Sequence, residues 1–411
     1  MMKRKILLAG LGGVLVAATA HGSAYRIPEQ SVNSTARAGA YVAHTPAADA
    51  SYFNPANMAW LEDRGLLEAD LTWIDLPSIS YDDNRTPAYD GKSESEDFLI
   101  PTFFAVSPDY NNFRIGLSLT YPAGLSKEWK QPYPRTFAEE FTLKVIEFNP
   151  TVSYRINDMV SLAAGFRVIY ADASVKSSGL IVPPSVTASR SMDGDTWEMG
   201  YNLALSFRPV PESNLSVTYR SKVDLDLEGH ADLATSAGPS VYSGSAEVTV
   251  PLPAVLAVAG SYTFFDQLTV ELEYDRTFWS EYDDLDFRYP VSLGNPYLIG
   301  AFDNPKAKNW EDTDTWRISV TYDMKNDFVL MAGFAIDDNP IPDATLGFDL
   351  PDADAKLYSV GLRYQATGNL NLGIAYLYDD KEKRTVVNSM VDGSFDHIGA
   401  HLLTVGLSYS F

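Results

Sequence analysis

Cysteine is absent from the 411-residue chain, which removes disulfides and thiolate metal sites from consideration. Histidine is scarce, and His21, His44, His230, His397 and His401 nowhere fall into H-E-x-x-H spacing. His397 and His401 lie four apart, but in a loop-and-strand context rather than on one helix face. Basic residues are outnumbered, 31 Lys and Arg against 54 Asp and Glu, for a net charge of −23. That balance argues against nucleic acid as a partner, which wants a basic stripe. Beyond the first twenty residues no run of 18 or more apolar residues occurs, so no membrane-spanning helix is expected. There is no P-loop, and no Ser-His-acid pairing stands out. The chain therefore reads as a non-enzyme with no catalytic residue, no metal site and no cofactor.

What the chain does have is alternation. Leu403, Val405, Leu407, Tyr409 and Phe411 occupy every second position of the last segment, with small or polar residues between them. Successive strand side chains point to opposite faces, so this is a strand with one greasy face. The pattern recurs in Phe113–Tyr121, Trp197–Phe207, Trp316–Tyr322, Tyr358–Tyr364 and Leu370–Tyr378. Many of these apolar sets carry an aromatic at one or both ends, as a lipid-facing band flanked by interface rings requires. About fourteen strands can be counted over residues 65–411. They are joined alternately by long loops and by six tight turns, around Asp109–Asn111, Asn157–Asp158, Pro209–Ser213, Phe265–Asp266, Lys325–Asn326 and Thr367–Gly368. Even strand number and short turns on one rim predict an all-β fold, an antiparallel transmembrane β-barrel with both termini on the periplasmic side.

The acidic residues concentrate in the long loops. They read as a solvated outer rim, or more sharply as a site where divalent cations bridge to anionic lipid. Residues 1–24 carry Lys3, Arg4 and Lys5, then an apolar run and small residues. This is the form of a signal peptide, with cleavage expected after residue 20, 22 or 24. Residues 25–64 are rich in Ala, Ser and Asn and have no period of two. A fourteen-stranded bore is too wide for side chains alone to fill, so this segment is expected to enter it as a plug, or hatch. Inward-facing Arg114, Arg167, Arg208, Arg220, Arg317 and Arg363, with Glu68, Asp70, Glu198, Glu271 and Glu273, supply both signs of charge to hold it.

Several stretches then resemble a known family. Tyr25-Arg-Ile-Pro-Glu-Gln-Ser31, Ala47-Ala-Asp-Ala-Ser51, Asn54-Pro-Ala-Asn-Met58, Pro122-Ala-Gly-Leu125, Tyr219-Arg-Ser221, Phe278-Trp-Ser280 and Ile336-Asp-Asp-Asn-Pro-Ile-Pro342 are similar, in matching order, to the FadL family. Its members are outer-membrane transporters of long-chain fatty acids and other hydrophobic molecules. The resemblance implies a fourteen-strand barrel with an inserted hatch. It also implies an apolar internal pocket at the mature N-terminus, where Tyr25 and Ile27 would stand. Lys176, Lys306 and Lys308 lie near the positions where relatives carry a cation for a ligand carboxylate. The hatch motif Asn54-Pro55-Ala56 is expected near a kink in the third strand, which Pro122 and Gly124 are expected to end and which opens the wall sideways. The segment 176–195 reads as a short loop, so Phe287, Tyr289, Pro290, Tyr297, Leu298 and Ile299 are the expected substitutes for an outer landing groove.

The function expected is passive uptake of hydrophobic molecules through the outer membrane of a Gram-negative cell. The alternative is a general aqueous porin for small polar solutes; a barrel enzyme or adhesin is a third reading. Expected partners are a fatty acid, hydrocarbon or, in vitro, detergent as ligand, outer-membrane lipid and lipopolysaccharide, and the barrel-assembly machinery.

Overall fold

The alternating segments close into a barrel. The computed structural model describes residues 24–182, 185–238 and 241–411, so the leader expected at 1–24 lies outside the described residues except for Ala24. The wall strands are β1 (Leu66–Leu76), β2 (Glu96–Val106), β3 (Phe113–Glu128), β4 (Glu140–Arg155), β5 (Val160–Val182) and β6 (Val186–Phe207). β7 runs in two segments, Ser213–Arg220 and Val223–Thr235, and β8 in two, Val241–Leu252 and Val255–Phe264. β9 (Leu268–Thr277), β10 (Thr313–Asp323), β11 (Phe328–Asp337), β12 (Ala355–Gln365), β13 (Leu370–Lys381) and β14 (Gly399–Ser410) complete the wall. Each pairs antiparallel with its neighbour, and β1 pairs with β14 from Leu66↔Ser410 to Asp75↔His401, so no edge is left at the seam. The fourteen strands and six tight turns expected from alternation are all present.

The greasy faces point outward. Trp316, Ile318, Val320 and Tyr322 on β10, and Tyr358, Val360 and Tyr364 on β12, are exposed, as are Ile115, Phe148, Leu162 and Leu407. In a membrane this is the lipid-facing belt with aromatic ends. Among the described residues no helix is long and apolar enough to cross a membrane.

Three expectations need correction. The segment 176–195 is not a loop: β5 and β6 pair continuously as far as Val182↔Val186. On their outer halves Ser177, Ala188 and Met192 are buried while Lys176, Thr187, Ser191 and Asp193 are exposed, so the outward positions are mostly polar and the apolar alternation that marks the membrane belt fades there. Pro122 and Gly124 do not end the third strand, because β3 continues to Glu128 through a register shift between Thr120 and Ala123. Finally, the apolar residues of 281–313 are not a free groove. Of the six singled out, Phe287 and Leu298 are buried, Tyr289 and Ile299 are half-buried, and Tyr297 and Pro290 stand exposed. A short helix, α3 (Pro132–Ala138), covers the edge of β5, with Arg135 donating to Ser178 O at 3.4 Å.

Residues 24–61 lie inside the bore. They include α1 (Val32–Ala36), begun by a capping box at Ser31, α2 (Ala50–Phe53), and a 3-10 turn Pro55–Trp60 capped by Asn54 Oδ1 on Ala56 N–H. Almost all of the segment is buried. Small side chains let it approach the wall closely: a Cβ at Gly333 would lie 2.1 Å from the Arg37 carbonyl carbon, and one at Gly373 2.7 Å from Val32. Polar pairs fix it. Arg317 donates to Ala38 O at 2.7 Å, Arg363 to Asn33 Oδ1 at 2.6 Å, Ser319 to Ala40 O at 3.1 Å, and Arg363 also pairs with Glu68. Glu147 bridges Arg167 and Arg220, and the Arg220 guanidinium lies 4.2 Å from the Tyr52 ring centroid.

Candidate functional site: a window in the wall

The wall is interrupted between β2 and β3. Their ladder holds from Val106↔Gly116 to Phe103↔Leu119 and then stops. It resumes beyond with Ser93↔Trp129 and the Glu94 N–H to Glu128 O bond, in the same register as below. Backbone pairing is therefore absent between residues 95–102 and 120–127, leaving a window roughly 30 Å long at about 3.3 Å per residue. The local cause is on both strands. Pro122 lacks a donor, and on the facing strand so does Pro101, in a register where Pro101 would oppose Tyr121. β3 keeps its β4 partner on the other side, and the bulge between Thr120 and Ala123 turns it inward.

The start of the hatch takes the place of β2 along the freed edge. Ile27 N–H donates to Pro122 O at 3.0 Å, and Gly124 N–H donates to Tyr25 O at 2.9 Å. The Gln30 amide acts as a stand-in peptide. It accepts from Tyr121 N–H at 2.8 Å and donates to Tyr121 O at 2.9 Å, while Thr102 Oγ1 donates to Gln30 O at 2.8 Å.

Behind the window lies a cavity of about 480 Å³. Its walls are largely apolar: Ile27, Ile74, Phe98, Leu125, Leu143 and Leu377 among others, with Gly124 on the window's edge and Leu99, 65% exposed, on the opposite side. A smaller void of about 40 Å³ lies deeper, lined by Tyr25, Phe141, Val250, Tyr282, Trp310, Lys308 and Asp349. Tyr25 is packed there against Trp279 and Trp310, ring centroids 4.7 and 5.6 Å away, and its hydroxyl donates to Pro251 O. Beneath the hatch a polar vestibule of about 780 Å³, lined by Arg37, His44, Arg208 and short-turn residues such as Asp266 and Asn369, opens at the short-turn rim.

The residues singled out in the sequence separate on this frame. Tyr25, Ile27, Pro122 and Gly124 come together at the window. Lys308 reaches the deeper void but is already bonded to Asp349 at 2.5 Å. Burial works to raise the Asp349 carboxyl, yet the Lys308 ammonium beside it holds it below the usual carboxylate range. Lys176 is exposed and paired with Glu140 at 2.6 Å, and Lys306 is exposed in a short strand with Leu285, so neither lines either cavity. Asn54, Pro55 and Ala56 lie away from the kink: Asn54 Nδ2 donates to Val42 O, and Ala56 O accepts from Ser161. The residues that touch the kink are Tyr25, Ile27 and Gln30. Gln30 and Pro101 escaped the sequence reading; the second proline on a facing strand was the available signal. His401 is spent on Tyr376 and Tyr378, and no metal-binding cluster occurs among the described residues.

A closed barrel with a lipid-facing belt, corked from within and interrupted in its wall between β2 and β3, is a plugged membrane β-barrel. The chain belongs to the outer membrane protein transport protein family (OMPP1/FadL/TodX), whose model matches residues 13–411. It is accordingly a protein of the Gram-negative outer membrane. It is 24% identical to the long-chain fatty acid transport protein of Escherichia coli O6:H1, with 87% of each chain covered. It is 23% identical to outer membrane protein P1 of Haemophilus influenzae, with 97% of each covered. Among solved structures, a Pseudomonas aeruginosa FadL homologue superposes with a TM-score of 0.82 at 21% identity, covering 94% of this chain and 99% of that one. The Ralstonia pickettii toluene transporter TbuX gives 0.70 at 17%, covering 92% and 97%.

Proposed function

We propose that the protein takes up hydrophobic molecules by diffusion, holding them in the cavity against the hatch start and releasing them sideways through the β2–β3 window into the bilayer. The observation that carries this reading is the continuity of one apolar cavity from Ile27 to a gap in a lipid-facing wall. A solute with about 16 methylenes gains roughly 0.8 kcal/mol for each one kept out of water. An exit through the polar vestibule would surrender that energy, whereas a lateral exit keeps most of it. Fatty-acid and aromatic-hydrocarbon relatives both support the reading and leave the ligand class open. The exchange of binding partners at the hatch start is the step that empties the cavity.

The test is to fill the cavity from its edge. A side chain at residue 124 starts 3.3 Å from Ile27 Cδ1, so Gly124→Trp projects into the cavity and Gly124→Ala barely enters it. Saturable uptake of an apolar solute is expected to disappear in the Trp variant and persist in the Ala variant, with both barrels assembled. Undiminished uptake by an assembled Gly124→Trp barrel overturns the lateral route. For the aqueous-porin reading, the intact protein would have to conduct ions freely; the expected result is near closure, with large conductance only after deletion of residues 25–60.

A further inference from the structure

Among the described residues that line the cavity, one buried cation has only a long ion pair and no hydrogen bond. Of those lining it, Arg26 donates to Thr277 Oγ1 at 2.5 Å, and Lys381 donates to Asp352 at 2.5 Å. Lys127, on β3 beyond the kink, is 5% exposed and makes no hydrogen bond among the described residues. Its nearest carboxylate oxygen is Glu96 Oε2, 3.9 Å away and itself buried without a hydrogen bond. An ammonium carries three donors, and leaving them unmade in an apolar setting is costly. The separation leaves both charges underused.

The pair also has a place in the wall. Glu96 stands at the outer end of β2, and its other oxygen accepts from Ser126 Oγ on β3. With the Glu94–Glu128 backbone bond just outside, this clasp joins the two strands at the outer end of the window. The same lining carries the carboxylates Glu29, Asp337 and Asp379, the last 3.7 Å from Lys381. Burial pushes the Glu29 carboxyl up to about 7 against the pull of Arg317. Leu125 and Leu143 line the same cavity as Lys127 and supply apolar surface for a chain whose anionic end meets that ammonium.

We propose that Lys127 is the specificity-determining residue of this cavity: it accepts the carboxylate of an anionic amphiphile, and Glu96 is the resident carboxylate with which that headgroup competes. Displacing Glu96 from Lys127 weakens the clasp between β2 and β3, so recognition of the headgroup and loosening of the window are one event. The inference rests on the lateral-uptake reading above and assigns its ligand class.

The test compares hexadecanoate, hexadecanol, hexadecylamine and hexadecane as probes in cells producing the full chain. In the native protein hexadecanoate is expected to be favoured. The readout is the ratio of hexadecanoate to hexadecanol uptake at subsaturating concentration, expected to fall about tenfold or more in Lys127→Met, the scale of one hydrogen-bonded charge. Lys127→Arg restores the ratio, and Glu96→Gln raises it by removing the competitor. An equal loss of both probes in Lys127→Met marks Lys127 as merely structural and overturns the proposal. So does a native preference for the amine or the neutral probes, with uptake itself intact. Absence of saturable uptake of all four probes refutes the transport reading instead, and this inference falls with it.

Discussion

Glu271 is where the hatch can be unfastened with a single side chain. It faces the bore from β9, and its carboxylate accepts three consecutive hatch donors: Val42 N–H at 2.8 Å and Ala43 N–H at 2.5 Å on Oε1, and His44 N–H at 3.0 Å on Oε2. Arg37 Nη1 lies 3.8 Å from Oε2, and the neighbouring Glu273 takes Tyr41 N–H at 2.8 Å. Glu271→Ala orphans three backbone donors at once. A buried unsatisfied donor costs about 1–3 kcal/mol. Ala43 and His44 border the polar vestibule, so water partly replaces the carboxylate and the low end applies. The loss of hatch docking is then roughly 3 kcal/mol, or about a hundredfold in the undocked population at 1.4 kcal/mol per decade. Glu271→Gln keeps one acceptor oxygen and is expected to lose about half as much. Planar-bilayer recordings should show frequent openings in the Ala variant, fewer in the Gln variant, and protease cleavage within 25–64 should accelerate in the same order. A Glu271→Ala barrel that stays as closed and as protease-resistant as the native one would refute the idea that this carboxylate fastens the hatch.

Two further outcomes follow from the same contacts. Gln30→Met keeps the length of the side chain but removes its bonds to Tyr121 N–H, Tyr121 O and Ile27 O. Hydrogen exchange at Tyr121 and Ile27 is expected to rise sharply while β9–β14 amides are unchanged, and equal protection in both proteins would exclude the stand-in role. His44, in the hatch at the vestibule, is pushed down to about 3, chiefly by burial and then by Arg37 and Arg208. The unfolded or undocked residue takes up a proton near pH 6.5, so hatch docking is favoured above that value and weakens progressively as pH falls from about 6.5 toward 3. Bilayer openings should therefore become more frequent on acidification over that range, and His44→Asn should flatten the dependence; an identical pH profile in the variant would rule out His44 as its source.

The barrel could be read from the chain because a membrane wall imposes its solvent on every second residue. Trp316, Ile318, Val320 and Tyr322 face lipid, while Arg317 and Ser319 meet the hatch, and that contrast survives in the bare sequence. The outer half of the β5–β6 hairpin could not be read. From Lys176 to Asp195 the outward side chains are mostly polar and the buried ones include Ser177 and Ala188, so no lipid-facing apolar set marks the strands. The window was half legible. Pro122 announced a fault in β3, but a proline at a strand's end and one at a bulge look alike until the β4 pairing of Ala123 and Leu125 is known. Lys127 passed unnoticed for the same reason: if the strand stops at Gly124, a lysine three residues later is an ordinary loop residue. Tyr25 and Lys308 came through the family resemblance rather than through any local pattern.

The shared register on the two sides of the window has a consequence for how the plug works. Strands β2 and β3 are equal in length between Phe103↔Leu119 and Ser93↔Trp129, so two prolines, the inward bulge and the hatch start bonded along β3 are what separate them. Peptide groups on an unpaired edge in lipid cost several kcal/mol apiece, which drives such an edge to find any available partner. Here the partner is the Tyr25–Gln30 segment, contributing two backbone bonds and one side-chain amide. The same six residues that floor the cavity therefore also hold the wall apart. A hatch start that leaves β3 does more than free a ligand: it exposes the edge that it had been satisfying, and β2 is the nearest strand able to take it. On the proposed lateral route, opening for release and closure after release would be opposite directions of one exchange of hydrogen-bond partners along β3, with no hinge elsewhere in the barrel required.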